Sequence, residues 1–193
     1  MASAGTSKPR LEELRDYCEQ IENIKEDATE LTATLSDAQF NWPPGAKRWS
    51  ISECLAHLNL TNGIALPEIA AAIEQARKAG MTAPGPFRYS LFSRTFIRYV
   101  EPPPKVRVKV PKGYEPPAGH SKDQVVPEFV ALHDRWLELI ALADGLDLAR
   151  IKVGIPVRRV KFSLGQRFAL LTAHDRRHLW QAWEVRRHRE FPL

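Results

Sequence analysis

No apolar run in this sequence is longer than a few residues, so none is long enough to cross a bilayer as a helix. The opening stretch, MASAGTSKPR, lacks the apolar centre of a secretory signal, and residues 1–8 read as a loose arm on a cytoplasmic protein. Cysteine is scarce. Cys18 and Cys54 both fall on apolar positions of helical patterns, which suits small buried hydrophobes in a reducing compartment, with a disulfide as the minor alternative. There is no Gly-rich phosphate loop, no CxxC pair and no Ser/His/Asp order. Neither sign of charge dominates: the net charge is +5, and basic residues are interleaved with acidic ones over much of the chain. The densest basic cluster, Arg186, Arg187 and Arg189, closes a helical pattern, where cations complement the helix dipole.

What is present is enough for one ordinary core. A chain of 193 residues, 44% hydrophobic and 26% charged, needs neither disulfides nor metals merely to fold, and residues 1–193 read as a single domain. Leu11, Leu14, Cys18, Ile21, Ile24, Ala28 and Leu31 recur at threes and fours and predict a first helix that ends before SDAQFNWPPG. Ser50 and Glu53 form a capping-box pattern that opens a second helix, with a kink expected at Pro67 and a stop at Gly80.

From Met81 to His120 periodicity disappears and prolines accumulate, as expected of a long crossing loop that covers a site. Within it the alternation from Lys105 to Val110 suits a short strand or a polyproline-like extension equally. Ser121 and Gln124 predict a capping box on a third helix whose buried face is Val126, Phe129, Val130, Trp136, Leu137 and Ile140. A short extended stretch follows, and Ser163 with Gln166 opens a fourth helix. Four long helices with a long, Pro-rich second connection imply an all-α four-helix bundle.

The last helix carries the chemistry. Leu164, Phe168 and Leu171 define an inward stripe that continues through His174, His178, Gln181 and Val185. Two imidazoles four residues apart are rotated by about 40° and can point at one cation. The motif alone is weak, because histidines at this spacing also occur on surfaces and as hydrogen-bonded core residues, and a third ligand is needed. His188 is too far along the helix, His120 lies in the Pro-rich loop, and His133 among apolar neighbours reads as a satisfied core histidine. His57, near the start of the second helix, is the best placed candidate.

RWSISECLAHL resembles the WSxxExxxHL signature of the DinB/YfiT-like superfamily, and SLGQRFALLTAHDRRHLWQ resembles its second signature, a helix bearing HxxxH followed by Gln. The likeness extends from about Leu11 to about Arg187, and the Pro-rich loop is its least familiar part. The resemblance implies an up-down-down-up bundle in which His57, His174 and His178 hold one divalent metal near one end. Three imidazoles suit zinc, nickel, iron or copper, with zinc and nickel expected first. It also implies a small-molecule substrate, with a bacterial thiol as partner in transfer or water in hydrolysis. Catalytic residues are not encoded in the motif.

Glu53, Thr61, Arg177 and Gln181 are candidates to surround the metal. Glu53 serves a helix cap equally well, and Arg177 with Asp175 suits a solvent-facing ion pair. Trp49, Trp180 and Trp183 line a pocket or simply pack. Two other functions compete with a metalloenzyme: a non-catalytic metal- or ligand-binding protein, in which bundle and metal organise a pocket or a homodimer interface, and a nucleic-acid-associated protein using Arg158, Arg159, Lys161 and the terminal arginines.

Overall fold

The computed structural model describes residues 9–104, 110–116, 119–154 and 161–192. The expected arm at residues 1–8, the alternating stretch from 105 to 109, and Arg158 and Arg159 lie outside the described residues. Four long helices form the bundle: α1 (Glu12–Thr32), α3 (Ile51–Lys78), α5 (Lys122–Leu142) and α6 (Leu164–Arg186). Two short helices, α2 (Asp37–Phe40) and α4 (Leu91–Val100), lie in the connections, and β1 (Lys152–Gly154) pairs antiparallel with β2 (Lys161–Ser163) just before α6. The hairpin replaces the featureless extended stretch, and its Val153 and Phe162 face each other and are buried.

Side-chain polarity at the helix starts sets the boundaries. Both halves of the capping box are made at Ser50–Glu53 and at Ser163–Gln166. A third box, Ser36–Gln39, opens α2 inside a segment expected to be only a turn. The Ser121 expectation needs correction: its hydroxyl accepts from Asp123 N at 3.2 Å, and no reciprocal bond from Gln124 forms. α3 ends where Gly80 takes φ +62°, with Met81 N bonding back to Ala76 O and Gly80 N to Arg77 O. The helix runs on through Pro67, which is exposed like Gly63, the residue whose carbonyl the missing amide would have used.

The buried face of α5 is rotated from the expected one. Val125, Phe129, His133, Trp136, Leu139 and Ile140 are buried, whereas Val126, Val130 and Leu137 are only half-buried. The stripe runs through His133, so an imidazole occupies a position that periodicity assigns to an apolar residue.

Specific contacts give the helix directions. Tyr17 reaches Gly165 and Asp27 reaches Trp183, so α1 and α6 run parallel. Asn59 donates to Val125 O and to Glu128, near the start of both helices, so α3 and α5 are also parallel. One apolar cluster joins the first half of α1 to the second halves of α3 and α5 and the first half of α6; the other joins the opposite halves. The order is therefore up-down-down-up. α1 and α3 each pack on both α5 and α6, which puts consecutive helices of each pair on a diagonal.

Because α3 and α5 point the same way, the chain must return along the bundle between them. α4 makes that return, parallel to α6: Ser93 meets Gln166 near its start and Glu101 meets Arg176 just past its end. Its existence corrects the expectation of an aperiodic loop. The pattern is inconspicuous because Leu91, Phe92, Phe96 and Tyr99 are exposed while Ser93 is its buried residue.

Where three helices meet, Asp175 on α6 is fully buried, not solvent-facing as expected. Its Oδ2 lies 2.8 Å from His133 Nε2 on α5 and accepts from Asn62 Nδ2 on α3 at 3.1 Å. Burial pushes the Asp175 carboxyl up, but the His133 hydrogen bond and the nearby imidazoles outweigh it and leave the group below its ordinary value. Asp175→Ala would strand both donors in the core and is expected to cost about 3–5 kcal/mol in urea unfolding. Ser50→Ala, which removes one cap, should cost about 1 kcal/mol by the same measurement.

Candidate metal centre

Trp49 and the Ser50–Glu53 box precede His57, which therefore enters on the second turn of α3 with its direction set by the cap. α6 runs antiparallel to α3 and presents His174 and His178 from consecutive turns. One nitrogen from each of the three histidines lies within 4.8 Å of the others. His57 Nε2 and His174 Nε2 face each other at 3.3 Å, and all three ring centroids are within 5.2 Å of one another.

The tautomer of His57 follows from its other nitrogen. Nδ1 lies 2.8 Å from the backbone carbonyl of Tyr114, which can only accept, so Nδ1 carries the proton and the Nε2 lone pair points at the other imidazoles. Trp49 lies against the group, its ring 4.9 Å from His57 and stacked at 5.5 Å on His178. His57 and His178 are buried; the His174 side chain keeps 24% of its surface and is the accessible edge. The Nδ1 atoms of His174 and His178 are buried without a hydrogen-bond partner. A set of converging imidazole nitrogens, with the proton of His57 held on the far side of its ring, fits a single divalent cation.

The remaining sequence candidates divide. Glu53 spends one carboxylate oxygen on Ser50 N at 2.8 Å, and Thr61 donates to the carbonyls of His57 and Leu58. Gln181 is half-buried and stands beside His178, where it opposes the lowering of that imidazole's pKa. Arg177 is half-buried beside Tyr99, and burial lowers its pKa. His133 is the satisfied core histidine expected, with Nδ1 on Phe129 O and Nε2 on Asp175. His188 packs on Trp42, away from the triad. Trp183 donates to Asp27 on the α1 side of the bundle.

Two features escaped the sequence. The Tyr114 carbonyl has no residue signature, since any residue supplies one. Asp175 sits in the polar run AHDRRH, where nothing marks it as inward. Two surface cavities, one beside Phe87, Tyr89 and Arg94 and one beside Arg10, Thr82 and Asp144, lie away from the triad.

Burial lowers the pKa of His57 to about 4, His174 adds to the shift, and the Tyr114 carbonyl opposes it. Burial also holds His178 well below the ordinary histidine value, with His174 and His57 adding to it. An unfolded histidine titrates near 6.5, so between about pH 6.5 and 4 the unfolded chain takes up protons that these two buried rings refuse. The metal-free protein should therefore lose stability as pH falls through that window. Urea midpoints measured in chelator from neutral to acid pH check this, and a His57→Gln, His178→Gln variant should show a flatter dependence.

Among curated proteins none matches the sequence. Among solved structures the fold is similar to YfiT from Bacillus subtilis, described as "a probable metal-dependent hydrolase with an unusual four-helix bundle topology". That likeness has a TM-score of 0.61 at 14% identity and covers 93% of this chain and 89% of YfiT. A family model described as the DinB superfamily matches residues 20–182, a span that takes in all three histidines, and the chain belongs to that superfamily.

Proposed function

We propose that this chain is a metal-dependent enzyme in which His57, His174 and His178 hold one divalent ion and a small thiol or water is the activated partner. The observation that carries the reading is the convergence of three imidazole nitrogens within 4.8 Å, one of them locked by a backbone carbonyl in its ligating tautomer. Three neutral ligands leave such an ion its full charge, so that when bound it lowers the pKa of a coordinated thiol or water. Zinc and nickel suit the donor set first; iron and copper share the preference for imidazole.

The protein's own contributions follow from position. Tyr114 keeps the proton of His57 on Nδ1 and so keeps Nε2 basic. Trp49 walls two of the rings from solvent, and His174 marks the edge by which a small molecule enters. The likeness to YfiT, a probable metal-dependent hydrolase, favours water, whereas the family resemblance of the two histidine signatures implies a thiol. A nucleic-acid role draws little support: Arg186 is spent on Leu31 O and Thr34, and Arg187 and Arg189 pair with Glu184 and Glu190. Among the described residues no helix is long and apolar enough to cross a membrane.

Elemental analysis of protein purified without a metal-affinity tag should find one divalent ion per chain. His57→Ala, His174→Ala and His178→Ala should each lose most of it, and His188→Ala should retain it. Equal metal content in all four variants would overturn the ligand assignment. A screen of bacterial thiols and of water against electrophiles and esters should then show turnover that chelator abolishes. Metal binding without turnover of any pair would leave a non-catalytic binding protein.

A further inference from the structure

Arg167 lies on the same stripe of α6 as His174, seven residues earlier, which places it about 10 Å along the helix and only about 20° around it. The facing stripe on α3 runs His57, Thr61, Ile64, Glu68. Since the two helices are antiparallel, the level of Arg167 on α6 is that of Glu68 on α3 when His57 is level with the two histidines. One seam therefore carries the metal ligands at one end and a guanidinium at the other, with Leu171 and Ile64 between.

That guanidinium is unusual. Arg167 is only 3% exposed, its Nε has no hydrogen-bond partner, and among the described residues it forms no ion pair. Burial pulls its pKa down, and Glu68 and Tyr114 oppose the shift from nearby. The Glu68 side chain itself is exposed. A buried cation without a counter-ion costs several kcal/mol, a cost that a bound anion removes.

The geometry points to Arg167 as the binding residue for an organic carboxylate on the molecule that reacts at the triad, an inference that rests on the triad being the reactive centre. A carboxylate matches the planar fork of one guanidinium. A phosphate dianion fits less well, because a single guanidinium neutralises only one of its two charges. The apolar floor between the ends favours an aliphatic or aromatic spacer.

Matched probes test this on the metal-loaded protein. Mercaptohexanoate should bind about tenfold tighter than mercaptohexanol, as expected for a charge-assisted hydrogen bond. Arg167→Gln should abolish the preference while metal content and affinity for the alcohol stay unchanged. Arg167→Lys, which keeps the charge, should retain part of it and replaces the Gln variant if that fails to fold. Hexanoate, which carries no thiol, should shift the Nε–Hε resonance of Arg167 in nitrogen-15 spectra, and hexanol should not. If hexanoate shifts that resonance but no thiol reaches the metal, the carboxylate site stands and the thiol reading fails. Glu68→Gln should tighten hexanoate binding by removing a competing carboxylate. Equal affinity for acid and alcohol in the wild type, or a Glu68→Gln variant that loses stability as Arg167→Gln does with no gain in hexanoate binding, would make Arg167 a structural partner of Glu68 and overturn the proposal.

Discussion

A carboxylate with no exposed surface, Asp175, sits where α3, α5 and α6 meet, and the alignment of the bundle depends on keeping it paired. His133 spans from Phe129 O, 2.7 Å from its Nδ1, to Asp175 Oδ2, 2.8 Å from its Nε2. Asn62 completes the set from α3. Sliding α6 by one helical turn, about 5.4 Å, would strand the charge and both donors together. Apolar side chains tolerate several registers; this group tolerates one. Because His174 is the residue just before it, with Nδ1 3.9 Å from Asp175 Oδ1, the register that satisfies Asp175 is also the one that brings His174 to His57.

Much of this was legible in the sequence wherever a local rule decides the outcome. Ser50 with Glu53 and Ser163 with Gln166 mark helix starts because the hydroxyl and carboxyl or amide groups satisfy backbone donors within four residues, with no help from the rest of the fold. The inward stripe of α6 likewise predicted that His174 and His178 share a direction. Convergence of His57 on them, more than a hundred residues away, came from family resemblance, since helical spacing says nothing about which helices meet.

Asp175 reads as a surface residue because polarity is taken as a sign of solvent, whereas its burial is compensated by His133 on another helix. His133 itself reads correctly as a core histidine, but the expected apolar stripe of α5 omits it, with Val125 and Leu139, in favour of the half-buried Val126, Val130 and Leu137. α4 failed in the opposite sense. Its large apolar side chains face outward and a serine faces in, so the usual pattern points away from the bundle. Tyr114 contributes through its backbone, which leaves no trace in residue identity.

The up-down-down-up order makes these parts interdependent. In an alternating bundle each loop would be short, and no segment would need to travel the length of the molecule. Here the parallel pair α3 and α5 requires the chain to climb back to the end where both begin, which is also where His57 lies. α4 supplies the climb along α6, and the segment after it arrives at the triad, where Tyr114 meets His57. The connection is therefore the source of the interaction that fixes the tautomer of His57. A tight turn could not reach from Ala79 to Ser121, because the connection must run back along the bundle. That return is a consequence of helix direction, and its arrival at His57 through the Tyr114 carbonyl makes a topological necessity part of the site.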